Sequence, residues 1–194
     1  MPATEPELAD LLAHTQDVDE FNRIADELEQ LQDQRLARLA APQALASAAA
    51  WYAAQGVDVF PVQPRDKVPM PGLRWRDKAT TDGHQIAAWW RAWPDANIGM
   101  PTGLRWDVID IDGPKGYQSF ADLRDDGKLP ARLGRSTTPR GGMHVYIAPS
   151  GQGNAAGWMP GLDYRGIGGY VLLPPSVGAN GRLYLWDQTP MVAP

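Results

Sequence analysis

The chain has 194 residues, 43% hydrophobic and 21% charged, with no cysteine and a formal net charge of −5. This length allows one well-packed domain with an appendage; lack of cysteine excludes disulfides and thiolate zinc sites, and no apolar run approaches the roughly 20 residues of a membrane helix. The acidity is uneven: residues 1–40 hold ten acids against three bases, net −7, and residues 41–194 hold thirteen against fifteen, net +2. The body is therefore compatible with nucleic-acid binding, although its charge does not argue for it. With no signal peptide ahead of the first helix, the expected location is the cytoplasm.

The first forty residues read as helix, with Phe21, Ile24, Leu28 and Leu31 at spacings of three and four and acids on the other faces. Pro42 marks the expected end of that segment. A surface helix and a docking or dimerising helix both fit it. A second helix is predicted over residues 43–55, stopped by Gly56. Val57, Val59 and Val62 then suggest a short strand. Asp82 with Gln85 resembles a capping box, opening a helix through Trp89, Trp90 and Trp93 that Pro94 closes. The helical spacing of these tryptophans suits the core, with base-stacking platforms as the other reading. A strand is predicted from Trp106 to Asp112, then a short helix carrying Tyr117, Phe120 and Leu123 and ending near Gly127. Strands over 143–148, 170–173 and 182–186 alternate with loops rich in glycine and proline. Helices interleaved with strands, followed by a strand-rich end, describe an α+β domain in two layers around a mixed or antiparallel sheet.

Three stretches carry chemistry. In Asp107-Val108-Ile109-Asp110-Ile111-Asp112-Gly113, strand alternation points Asp110 and Asp112 one way and Ile109 and Ile111 the other. Two strand residues separate those carboxylates by roughly 6–7 Å at the backbone, a spacing from which both can reach one or two hard divalent cations. A strand running into an Asp-Gly turn reads the same residues without a metal. Next, Thr137-Thr138-Pro139-Arg140-Gly141-Gly142-Met143-His144 leads a hydroxyl- and glycine-rich loop into a strand, with backbone amides and Arg140 suited to phosphate. The third, Gly161-Leu162-Asp163-Tyr164-Arg165-Gly166, reads either as a ligand-bearing segment or as an Asp–Arg pair bracing a glycine turn.

In this order, Asp-x-Asp, then His, then hydrophobic-Asp, the chain resembles the archaeo-eukaryotic primase superfamily. It resembles most its bifunctional primase-polymerase branch at the amino end of phage and plasmid replication proteins. Gly56 through Pro61, Lys67-Val68-Pro69, Ala79-Thr80-Thr81-Asp82, Trp89-Trp90, Pro94 with Asn97-Ile98-Gly99, and Pro174-Pro175-Ser176 extend the match over about residues 45–187. The resemblance implies a primase fold, with an RRM-like sheet and a smaller α+β subdomain, in a catalytic domain at 42–188. An acidic helical segment at 1–41 would precede it, and residues 189–194 would begin a linker to a downstream helicase region.

The implied activity is metal-dependent nucleotidyl transfer that makes primers on single-stranded DNA from NTPs or dNTPs and extends them. Asp110, Asp112 and Asp163 would hold two Mg²⁺ or Mn²⁺ ions, with no zinc, and His144 would meet the incoming triphosphate. Arg140, Thr138, Arg165, Ser176 and Lys67 are weaker expectations for nucleotide contact, and Arg74, Trp75 and Arg76 for the template, where an aromatic ring lies between cations. Gly142 stands where the family often has Ser or Thr, so a hydroxyl contact would have to come from Thr137 or Thr138. A metal-dependent nuclease or phosphodiesterase using the same acids, and a non-catalytic single-strand-binding module, are the alternatives.

Overall fold

The segment expected as one amphipathic run forms two helices, α1 (Glu5–His14) and α2 (Val18–Leu39), in the computed structural model, which describes residues 5–15, 18–39 and 42–190. Leu8 and Ile24 are buried, Leu28 and Leu31 half-buried, and the side chain of Phe21 lies outside the described residues. The chain divides into two compact units, residues 1–41 and 42–194. Pro42 opens the next helix, α3 (Pro42–Ala54), instead of closing the previous one; a first-turn proline sacrifices no helical hydrogen bond.

In the second unit, α3 is followed by β1 (Phe60–Val62), a single turn α4 (Trp75–Lys78), and α5 (Gly83–Ala92). Asp82 caps α5 through the backbone N–H of His84, 2.8 Å away. The reciprocal half of the expected capping box is replaced: the Asp82 N–H donates to Thr80 Oγ1 instead of to Gln85. The chain continues through β2 (Asn97–Pro101), β3 (Asp107–Ile111), α6 (Gly113–Asp125), β4 (Arg132–Thr137), β5 (Met143–Ile147), β6 (Ala155–Met159), β7 (Leu162–Arg165), β8 (Tyr170–Leu173) and β9 (Leu185–Gln188). No described helix is long and apolar enough to cross a membrane.

The strands form two sheets, β1-β2-β8 and β6-β7-β3-β5-β4-β9, and every pairing between these strands is antiparallel. The architecture is α+β with antiparallel sheets. Alternation along the central strands divides the large sheet into two faces. Ile109, Ile111, Val145, Ile147 and Leu162 turn to one side and pack with Phe120 and Leu123 of α6. A fully buried aliphatic side chain contributes about 2 kcal/mol, and slipping one strand by a residue would turn its whole apolar set outward. That burial fixes the register. Trp106, Val108 and Tyr146 of the other face join a core with α3 and α5, where Tyr52, Trp89 and Trp90 are buried and Trp93 packs at the margin. Tyr52 ties distant segments together, donating to Pro174 O (2.6 Å) and accepting from Trp186 Nε1 (2.7 Å).

Candidate active site

Directly paired residues of antiparallel strands project to the same face of the sheet. Asp110 on β3 pairs with Asp163 on β7 and with His144 on β5; His144 in turn pairs with Ser136 on β4. Asp163, Asp110, His144 and Ser136 thus form one row across four strands. Asp112 continues the extended path of β3 by one residue and is the N-cap position of α6 (φ −116°, ψ 120°), yet its carboxylate makes no capping hydrogen bond. It is left free to face the site. Asp107 points to the opposite face, where its Oδ2 accepts from Tyr164 Oη (2.6 Å) and from the amide and hydroxyl of Ser150 (2.8 Å each). It is a structural acid.

Asp110 and His144 are both buried. His144 Nε2 faces Asp110 Oδ1 at 3.4 Å, and Nδ1 has no partner. Burial drives the imidazole pKa down to about 4 despite the opposing pull of the Asp110 charge, because a buried imidazolium loses its hydration. His144 is therefore neutral at pH 7. The Asp112 carboxyl is held above the usual carboxylate range, first by partial burial and then by the charges of Asp110 and Asp163, with Lys67 and Arg140 opposing. Crowded negative charge of this kind is what a bound cation relieves.

Two cavities of about 250 and 200 Å³ flank Asp110 and share Lys67, Leu172 and Tyr184. The larger takes in His144, Arg165, Arg76 and Trp75; the smaller takes in Asp112, Thr138, Arg140 and Arg65. Cations thus stand on both sides of the acids. In the loop before β5, Gly141 donates its N–H to Thr138 O (2.9 Å) and Gly142 donates to Thr138 Oγ1 (3.1 Å). A Cβ on Gly142 would come within 2.3 Å of Ile111 O, so no Ser or Thr fits there. Thr138 borders the smaller cavity, whereas Thr137 Oγ1 donates to Asp187 at 3.0 Å, away from the site.

Asp110, Asp112, Asp163, His144, Lys67, Arg140, Thr138 and Arg165 are thus brought together. Three other expected contacts are turned away or already covered. Ser176 is fully buried and its hydroxyl accepts the Ile98 N–H (2.9 Å), bracing the small sheet without lining either cavity. Arg74 points outward into an exposed pair with Asp77 (2.7 Å). Trp75 borders the larger cavity, but its ring is stacked on Phe60 (centroids 5.2 Å) and covered by the Arg76 guanidinium at 4.5 Å, leaving no open face for a base. Two site residues were not anticipated. Arg65 reaches the smaller cavity from a left-handed backbone (φ 57°) that nothing local announces. Tyr184 borders both cavities, and its hydroxyl pKa is raised by burial and then by the charges of Asp110 and Asp112; lying in a predicted strand, it could have been found as an aromatic facing the acids.

As donors, Asp110, Asp112 and Asp163 would offer only carboxylate oxygen, chemistry that fits Mg²⁺ or Mn²⁺. Among the described residues, no three acidic or imidazole side chains converge tightly enough to enclose an ion as they stand. The Arg165 guanidinium lies between Asp163 Oδ2 (2.5 Å) and Asp110 Oδ2 (3.3 Å). The Asp–Arg pair expected as a turn brace does exist, and it sits inside the acidic row.

Compared with known families, residues 49–194 match the Prim-Pol family, described as bifunctional DNA primase/polymerase, N-terminal. No curated protein sequence matches the chain.

Proposed function

We propose that this chain, which belongs to the Prim-Pol family of bifunctional DNA primase/polymerases, makes primers de novo on single-stranded DNA and extends them by metal-dependent nucleotidyl transfer. The observation that carries this reading is the in-register row of Asp163, Asp110 and His144, with Asp112 two residues beyond Asp110. The six-stranded sheet with α6 corresponds to the RRM-like part of a primase fold, and the three-stranded sheet with α3 and α5 to the smaller subdomain.

In this mechanism Asp110, Asp112 and Asp163 would hold the divalent ions, which when bound would activate the attacking 3′-hydroxyl and neutralise the departing pyrophosphate. Lys67 lies where the two cavities meet, and Arg140 and Arg65 border one of them; their charges balance and orient the triphosphate. His144, neutral and buried, has a single N–H; through Nε2 it faces Asp110 Oδ1 and orients that carboxylate, and a phosphate oxygen entering the larger cavity would compete with the carboxylate for it. The template would pass over the rim bearing Arg76.

The test is synthesis on unprimed single-stranded DNA with Mg²⁺ or Mn²⁺ and labelled nucleotides, run beside Asp110→Ala. Short template-dependent products that vanish in the variant are expected, and the nucleotide requirement reports the sugar preference. Shortening of a labelled strand would assign the acids to hydrolysis. Template binding indifferent to metal and nucleotide, with no synthesis from primed or unprimed DNA, would leave a binding module.

A further inference from the structure

Arg165 lies two residues beyond Asp163 on the same face of β7, and its side chain is 26% exposed at the wall of the larger cavity. It holds one oxygen from each acid of the row. The remaining oxygens also face donors: Asp163 Oδ1 accepts the Gly157 N–H at 2.6 Å, and Asp110 Oδ1 faces His144 Nε2 at 3.4 Å. Asp112 differs: among the described residues its carboxylate accepts no hydrogen bond. A divalent ion bridging Asp110 and Asp163 would need the oxygens that the guanidinium holds. Two cations cannot share those oxygens at contact distance without strong repulsion.

We propose that Arg165 is a built-in counter-cation that competes with the divalent ion for Asp110 and Asp163 and is drawn off by the triphosphate. This rests on the reading of those acids as cation ligands. A guanidinium binds phosphate oxygens as well as carboxylates, through the same planar fork. The cavity that Arg165 lines gives it room to exchange one anion for the other. Metal alone must displace Arg165 without offering it a new partner; nucleotide and metal together satisfy every charge. The two ligands therefore favour each other's binding, and the coupling is reciprocal.

Calorimetric titration of the full chain tests this, using Mn²⁺ alone in one series and a deoxynucleoside triphosphate in excess EDTA in the other. Arg165→Gln is expected to bind Mn²⁺ about tenfold more tightly than wild type, the scale of one partly buried ion pair. It should bind the metal-free nucleotide several-fold more weakly. A residue serving only the fold would weaken both, so the opposite signs are diagnostic. Arg165→Lys, which keeps the charge but loses the fork, should fall between. A variant that melts with wild type yet binds Mn²⁺ no more tightly overturns the proposal. If in that case Asp110→Asn still loses Mn²⁺ binding, the metal site stands and only the competition falls; if Asp110→Asn binds Mn²⁺ as wild type does, both readings fall.

Discussion

The two faces of the large sheet are made from the same strands and share the same hydrogen bonds, but they obey different rules. On one face Ile109, Ile111, Val145 and Leu162 meet α6 and exclude water. On the other, Asp110, His144 and Asp163 crowd charge and polarity beside two cavities. The apolar face can afford its neighbour, since its burial fixes the register and so aligns acids that repel one another. Side chains that tolerate near-isosteric exchange thus hold in place side chains that do not.

If this division holds, substitutions on the two faces should fail differently. Asp110→Asn should reduce primer synthesis about 10³-fold or more, roughly 4 kcal/mol of barrier, with a melting temperature at or above wild type; a product assay beside thermal melting checks it. Ile109→Ala, one residue away on the other face, should cost about 3 kcal/mol in urea unfolding while synthesis per folded molecule stays near wild type. Abolished synthesis in a fully folded Ile109→Ala protein would mean the faces are not separable.

His144 lends itself to a pH test. Between pH 6.5 and about 4 the unfolded chain carries a proton that folded His144 lacks, so its contribution to stability falls as pH falls through that window and levels off below it. Wild type should therefore lose about 2–3 kcal/mol relative to His144→Gln between pH 7 and pH 4.5, measured by denaturant unfolding in EDTA; parallel profiles would show that the imidazole is not held neutral. The smallest effect is expected at Ser136→Ala, which removes a 3.3 Å contact with Tyr146 Oη. It should cost about 1 kcal/mol of stability and change synthesis by no more than a few-fold, in the same two assays.

Much of the fold is legible in local sequence where one signal dominates. The alternation of Asp107–Ile111, the helical tryptophans of α5 and the stop at Gly56 all surface as elements near their expected bounds. Strand β2 was not legible: it is buried at every position and carries Gly99 and Pro101, so it has neither alternation nor a clean run. A Cβ at Gly99 would lie 2.5 Å from the Phe60 ring, so that glycine makes room for a neighbour and does not break the strand. Strand β7 hid for a related reason, four residues between glycines reading as a turn. At the site, alternation alone relates Asp110 to Asp112. The approach of His144 and Asp163 depends on cross-strand register, which no local pattern encodes, and only the resemblance to primases joined them beforehand. Trp75 misled because flanking arginines describe composition, whereas Phe60 and Tyr170, which enclose its ring, are distant in sequence.

Three glycines crowd the backbone around Asp112: Gly161 meets it directly, Gly116 meets Gly161, and Gly142 meets Ile111 just before it. A Cβ on Gly116 would lie 2.3 Å from Gly161 O, one on Gly161 2.8 Å from Asp112 O, and one on Gly142 2.3 Å from Ile111 O. Gly161 also lies at φ +73° and accepts the Asp112 N–H at 2.9 Å. A saturation-mutagenesis map of this protein would consequently show positions 116, 142 and 161 as depleted as the acids themselves, although none of the three has a side chain to offer a nucleotide. Anyone tracing the active site from such a map would draw it too large, and the excess would outline the mould in which Asp112 is cast.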